Sequence, residues 1–258
     1  MKLIANETEY ARRCLELGYI DKKQPYKSIR TIVRYLNKVC HITDINIIYS
    51  SILSYLEGIE KRVEIDIDII RTMMNEDNPY NDLQRVFISK QEMDTITSMP
   101  YPTSWKKVLF VMLVQYKVKL QIYPEARNRR IEADLTTIMN DAHTTLSVAK
   151  RMEMLAKFEE DGLIEMPNGG KQAKYFYLYY IDDNPEEIAV VVEDFFDFYL
   201  YYEQYVKGGV LKRCENCGKL FIVKEQRGHG KVKYCDKCKK EVNKEVRKKI
   251  NERQKSKL

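Results

Sequence analysis

The sequence predicts a mainly α-helical protein in four segments. These are a helical N-terminal domain over 1–100, a central α-helical domain closed by a small β-hairpin over 101–182, an acidic aromatic connector helix over 183–207, and a four-cysteine finger with a basic helix over 208–258. Three observations carry that reading. Apolar residues recur at three- and four-residue intervals through the front of the chain. The middle runs helix, strand, helix, turn, helix, hairpin. Two Cys-x2-Cys pairs, Cys214/Cys217 and Cys235/Cys238, stand seventeen residues apart ahead of a lysine-rich end.

In the front segment, Asn6-x-x-Glu9 predicts a capped helix start and Gly18 its end, with Tyr10, Cys14 and Leu17 on one face. Ser28 is expected to cap a second helix whose Ile29, Ile32, Val33, Leu36 and Cys40 form an apolar stripe. Thr43 opens a third, with Ile45, Ile48, Ile52, Tyr55, Leu56 and Ile59 inward, and Val63–Asn75 reads as a fourth. Ser89-Lys-Gln-Glu92 is a capping box for a short helix that Pro100 ends. Asp66 and Asp68 lie two apart, face different directions and read as solvated. Nothing here has catalytic spacing, so the segment reads as a helical core or dimerisation unit.

Pro102-Thr-Ser104 starts the next helix, with Trp105, Val108, Leu109, Met112 and Tyr116 on one face. Val118, Leu120 and Ile122 alternate with polar residues like a short strand. Ile131, Leu135, Ile138, Met139 and Ala142 mark a further amphipathic helix, and His143-Thr-Thr145 a turn. Another helix follows, with Val148, Met152, Leu155 and Phe158 inward, ending at Asp161-Gly162. Leu163–Met166, the turn Pro167-Asn-Gly-Gly170 and Lys174–Tyr180 read as a β-hairpin.

Pro185-Glu-Glu187 then looks like a helix start, and the helix is expected to run to about Val206. Residues 182–206 hold eight acidic side chains and no Lys or Arg, so their dense Phe and Tyr suggest burial rather than base stacking. The contrast with the tail raises the expectation that this acidic helix, through Glu186, Glu187 and Asp194, shields the tail until nucleic acid competes for it. Gly208-Gly209 reads as a hinge.

Each Cys-x2-Cys pair can place two sulfurs on one tetrahedral zinc, and four thiolates leave no open position, so one structural zinc per chain is expected. Iron takes the same four-sulfur ligation, and spacing does not separate the two. Disulfides, a redox Cys-x-x-Cys and free thiols are the competing readings. No secretory segment precedes the pairs and no βαβ pattern surrounds them. Leu220-Phe-Ile-Val223 and Lys231–Tyr234 are expected as two strands around an Arg227-Gly-His-Gly230 turn, with a helix from the second pair. His229 reads as a solvated loop residue.

Residues 207–258 carry 18 Lys+Arg and 6 Asp+Glu, a charge of +12, whereas the whole chain is +6, so residues 1–206 sum to −6. A basic module on an acidic body is the asymmetry of a nucleic-acid arm. The tail residues expected on phosphates are Lys231, Lys233, Lys240, Lys244, Arg247 and Lys248. A solvated tail is the bland alternative, and Glu241, Glu245 and Lys249 are spaced for pairing along an exposed helix. No membrane span or signal peptide is read, and Cys14 and Cys40 read as buried thiols, so a cytoplasmic protein is expected. With three histidines in all, no Ser/His/Asp set, no phosphate-binding loop and no open metal site, no enzyme and no small-molecule substrate are expected.

The knuckle, hairpin and second pair at a helix start, with Gly218, Phe221 and Tyr234, resemble a treble-clef or zinc-ribbon finger. The order over 101–182, ending in "FEEDGLIE", a Gly-rich turn and "KYFYLYY", resembles a winged helix-turn-helix domain. That likeness implies a recognition helix from about Leu146 to Glu160, with Thr144, Thr145, Ser147, Lys150 and Arg151 toward bases or phosphates, and Lys171 and Lys174 of the wing on the backbone. His143, at the turn between helices, is read either on a phosphate or as a packing residue. Glu153 on the exposed face and the scarcity of arginine depart from strong DNA readers. "KKVLFVMLVQYKVK" and "RCENCGKLF…KYCDKC" are also similar to segments of uncharacterised proteins of bacteriophages and mobile elements in low-GC Gram-positive bacteria.

The resulting expectation is double-stranded DNA binding by a transcriptional regulator or replication accessory. A homodimer is compatible with it, although no coiled-coil heptads appear. The alternatives are a protein-interaction adaptor that modulates a host or phage enzyme, in which a protein partner replaces DNA, and a single-strand or RNA-binding protein.

Overall fold

The computed structural model describes residues 3–21, 23–125, 128–167, 175–224 and 232–255. Among them the chain is mainly helical, and it divides into two compact units: Lys2–Gln84 with Val118–Glu125, and Arg85–Lys117 with the chain from Ala126 onward.

The first unit holds α1 (Glu7–Leu17), α2 (Pro25–Lys38), α3 (Ile45–Gly58) and α4 (Ile67–Met74). Asn6 caps α1 by accepting from the Glu9 N–H at 2.7 Å, and Gly18 ends it in the left-handed region at φ +62°. Ile29, Ile32, Val33, Ile48, Ile52 and Ile70 lose all exposure, as their spacing predicts. Arg34 grips Glu7 through two bonds, Nε to Oε2 at 2.7 Å and Nη2 to Oε1 at 3.1 Å.

Several expectations here need correction. Pro25 at the first turn starts α2 four residues earlier than a Ser28 cap would, and Ser28 is instead buried within the helix, 3.0 Å from the Tyr10 hydroxyl. Leu17 is exposed at the frayed end of α1. Cys40 is also exposed, because α2 stops at Lys38 and His41 turns the backbone to φ +56°. α3 is capped by Asp44 rather than Thr43. α4 is shorter than Val63–Asn75, and Asp66 is its cap, accepting from the Ile69 N–H at 2.8 Å.

The second unit begins with β1 (Val86–Ser89) and α5 (Lys90–Ser98). The Ser89/Glu92 capping box forms as predicted. Next comes α6 (Thr103–Ile122), of which the part to Lys117 belongs to this unit and the rest to the first, and then β2 (Arg130–Ile131), α7 (Leu135–Asp141), α8 (Val148–Glu160), β3 (Ile164–Glu165) and β4 (Phe176–Leu178). The strand expected at 118–122 is the last turns of α6. Nothing between Pro102 and Pro124 breaks the helix, and extending a formed helix costs little. Val108–Val114 is buried on every side of α6, so the face read from periodicity is only part of what it buries. β3 and β4 pair antiparallel as expected, and β2 adds to β4, giving the order β2-β4-β3. The tip of that hairpin, 168–174, lies outside the described residues.

The connector helix expected over 183–207 is two elements. β5 (Ile188–Val192) pairs antiparallel with β1, and α9 (Tyr199–Lys207) follows. The run Val190-Val-Val192 favours a strand, with Val190 and Val192 inward and Val191 outward. The pairing places β1 and α5 in this unit rather than with the helices before them.

The chain ends with β6 (Val210–Arg213), β7 (Leu220–Val223) and α10 (Asp236–Lys255). β6 and β7 pair antiparallel around Cys214–Cys217, so the partner of Leu220–Val223 precedes the knuckle and does not follow it. Of the strand expected at Lys231–Tyr234, residues 232–234 are not a strand, and the Arg227–Gly230 turn lies outside the described residues. Among the described residues no helix is long and apolar enough to cross a membrane.

Candidate metal centre and the surfaces beside it

The β6–β7 hairpin presents the first cysteine pair, and the start of α10 presents the second. Gly218, at φ +67°, turns the knuckle so that its N–H donates to the Cys214 carbonyl at 2.9 Å. The Cys214 N–H donates to the Lys219 carbonyl at 2.9 Å, and the Glu215 N–H to the Lys233 carbonyl at 3.0 Å, which ties the two pairs together. All four sulfurs lie within 4.8 Å of one another, and Cys217 Sγ is 3.8 Å from Cys235 Sγ. A tetrahedral ion with sulfur ligands at about 2.3 Å sets its sulfurs about 3.8 Å apart, so the group fits one metal ion. Cys214 and Cys238 are 2% exposed, and the Cys235 N–H points at Cys214 Sγ at 3.4 Å. Burial opposes ionisation of Cys214, but the N–H groups of Cys235, Cys217 and Asn216 outweigh it and hold the thiol below its ordinary value. Cys214 is thus held toward the thiolate, the form that binds a cation, whereas burial pushes the Cys217 thiol up.

The metal module is held to the rest of its unit by contacts that spacing alone did not reveal. Asp194 is buried. Its Oδ1 accepts from the N–H groups of Phe196 at 2.8 Å and Asp197 at 3.2 Å, and its Oδ2 lies 3.0 Å from Arg213 Nη1. Arg213 Nη1 also donates to the Gly218 carbonyl at 3.2 Å. The Tyr201 hydroxyl accepts from the N–H groups of Glu193 and Asp194, each at 3.1 Å. Gln204 Nε2 donates to the Gly209 carbonyl at 3.2 Å. Gly209, at φ +101°, is packed rather than hinge-like: a Cβ there would stand 2.8 Å from Ile222 Cγ2 and 2.9 Å from the Val223 oxygen. The one local signal for this arrangement is Asp-Phe-Phe-Asp197, an Asx-turn sequence.

The expected shielding role of the acidic segment does not suit Asp194, which is used inside the unit. Glu203 is likewise engaged, by Lys107 at 3.1 Å and Lys207 at 3.3 Å. Glu186 and Glu187 are exposed.

On α8, Thr145, Ser147 and Lys150 are exposed together at the N-terminal end, and Ser147 caps the helix by accepting from the Lys150 N–H at 3.3 Å. Thr144 and Arg151 turn inward, the former donating to the Ala142 carbonyl at 3.1 Å and the latter through Nε to the Leu146 carbonyl at 2.9 Å. Val148, expected inward, is 71% exposed and Met152 half-buried, because the buried stripe begins nearly two turns after Val148, with Met154, Leu155 and Phe158. Glu153 is exposed, as expected. His143 is exposed, at φ +45°, and stacks on Tyr199 with centroids 4.3 Å apart and planes at 21°. On α10, Lys240, Lys244 and Arg247 are exposed, and Lys233 beside them lies 3.3 Å from Glu215. Lys171, Lys174 and Lys231 fall outside the described residues, and so does the side chain of Lys248.

No family profile, curated protein or solved structure matches this chain.

Proposed function

We propose that the protein binds double-stranded DNA, with residues 101–182 acting as a winged helix-turn-helix and the four-cysteine module, loaded with one structural zinc, adding phosphate contacts through its basic helix. The observation that carries this reading is that the exposed N-terminal end of α8 and the exposed cations of α10 belong to one compact unit. The strand order β2-β4-β3, with α7 and α8 between β2 and β3, supports the winged-helix part, since it sets a helix-turn-helix against a three-stranded wing sheet. Thr145, Ser147 and Lys150 are then the base-facing or phosphate-facing residues, while Arg151 and Thr144 position the helix start. Zinc suits four thiolates, with no redox demand on the site.

Glu153 on the same face favours the rival reading, a protein-interaction module. Fluorescence anisotropy with a labelled duplex across a salt series separates the two. The DNA reading expects a steep log–log slope that falls by about 0.9 for each phosphate contact removed, tested with Lys240→Ala, Lys244→Ala and Arg247→Ala. Absence of duplex binding at low salt would overturn it and direct the search to a protein partner. Tighter binding of a single strand would point to the single-strand or RNA alternative.

A further inference from the structure

We propose that the N-terminal end of α8 and the metal module form one duplex-DNA surface of fixed spacing, with α9 as the element that sets it. This rests on the duplex-binding reading above. The observations are contacts along α9. At its start Tyr199 stacks on His143, in the turn between α7 and α8, and the Lys107 ammonium of α6 lies 4.9 Å from the Tyr199 ring centroid. Lys107 also pairs with Glu203 at 3.1 Å. Tyr202 is buried against Phe110 of α6, with centroids 5.8 Å apart. Tyr201 receives the amides of Glu193 and Asp194, and Asp194 holds Arg213, the residue before the first cysteine. At the end of α9, Gln204 holds the Gly209 carbonyl, and Gly209 sits too close to Ile222 to admit a side chain. From His143 to Arg213 the path is one of packed rings, ion pairs and hydrogen bonds, where the sequence suggested a Gly-Gly hinge.

A flexible join and a fixed one act differently on DNA. A flexible join lets the second contact form at any separation its tether reaches. A fixed join puts the second set of phosphate contacts at one offset from the first. Because phosphates recur along any duplex, that offset is read from which phosphates are protected. Two of the acidic side chains then have a structural use, because Asp194 pairs with Arg213 ahead of α9 and Glu203 pairs with Lys107 along it. His143 and Tyr199 are positioning residues in this scheme, acting through α8 and the metal module rather than on DNA.

The test uses the full zinc-loaded chain. Duplexes enriched from a random library are footprinted with wild type, Lys150→Ala and Arg247→Ala, which assigns the two contact patches. The offset between the two patches is then compared across duplexes of different sequence. The expected result is the same offset in every duplex bound. A Gly-Ser-Gly-Ser insertion after Gly208 should spread the Arg247-dependent protection over several offsets, and Tyr199→Leu should do so in part. If Tyr199 merely stabilised the fold, its variant would weaken both patches and keep their offset, which would overturn its positioning role. A wild-type offset that varies between duplexes, or a single contact patch, would overturn the fixed spacing. If no duplex is enriched, the DNA reading fails and the surface with it. Whether the join itself is fixed is then read from backbone 15N relaxation, where one rotational correlation time for residues 135–165 and 208–224 is expected and two would refute it.

Discussion

Asp194 Oδ2 lies 3.0 Å from Arg213 Nη1, and this pair joins the segment before α9 to the strand that carries the first metal ligand. The carboxylate is almost fully buried, and the arginine is roughly half exposed. A buried carboxylate is stable only while its charge is compensated. Arg213→Ala would take this cation away from the buried Asp194 carboxylate and leave its two amide bonds. The expected cost is about 1–3 kcal/mol, together with weaker metal retention, because Arg213 also holds the Gly218 carbonyl of the knuckle. Urea unfolding and competition with a chromogenic chelator measure the two effects. Unchanged metal affinity would show that the pair does not support the knuckle.

Glu92 is another buried charge. It has no exposure, and it accepts from the Ser89 N–H at 2.9 Å, the Asp182 N–H at 3.0 Å and Lys117 Nζ at 2.7 Å. Glu92→Ala orphans Lys117 and two amides, with an expected loss of about 3–5 kcal/mol. The double variant with Lys117→Met should recover part of it. The single tryptophan, Trp105, packs on Tyr101 and Phe158 within this unit, so its fluorescence reports the transition.

Gly208 and Gly209 should respond differently to alanine. Both have positive φ, but nothing lies within 4 Å of a Cβ on Gly208, whereas one on Gly209 meets Ile222 and the Val223 backbone. Gly208→Ala is expected to cost about 1–3 kcal/mol from strain alone, and Gly209→Ala more, with lost amide protection in β6 and β7. Hydrogen exchange compares them, and equal effects would return Gly209 to the hinge reading.

Metal removal is expected to unfold the hairpin and the start of α10 locally, since four sulfurs are the main link between the knuckle and the second pair. Cys217→Ser or chelation should abolish one bound ion per chain, measured by elemental analysis, and release amide protection at 210–224 and 232–240. The Trp105 transition should persist. A chain purified with no stoichiometric metal would remove the metal centre from the account.

The Glu203 carboxyl makes the join sensitive to acid. Burial pushes its pKa up, but Lys107 and Lys207 outweigh it and hold it below the ordinary 4.5. A folded-state value below the unfolded one gives stability that is complete above about 4.5 and is lost as pH falls through the lower value. Lys107→Gln should therefore flatten the fall in stability below pH 4.5, while wild type keeps its slope. Identical acid profiles would show that the pair contributes nothing.

Local chemistry made some of this protein legible. Asn6, Gly18 and the Ser89/Glu92 box act within a few residues of themselves, so capping logic placed those helix ends. The four cysteines were legible because thiolate spacing constrains a metal site whatever the surrounding fold. The β3–β4 hairpin followed from its Gly-rich turn.

What only the tertiary structure decided depends on residues distant in sequence. β1 and β5 pair across about a hundred positions, and without a strand partner Ile188–Val192 is as readily drawn in a helix. Val148 falls on the inward stripe by spacing yet is exposed, because burial depends on what packs against a face. Gly208-Gly209, just before β6, reads as a hinge by sequence, since a glycine's freedom and a glycine's close packing look alike there. The sequence alone determined which four cysteines could hold a metal and several helix ends, where the governing interactions span a few residues. Tertiary structure decided how α8, α9 and the metal module are joined, because ion pairs such as Asp194–Arg213 form only after distant elements have packed.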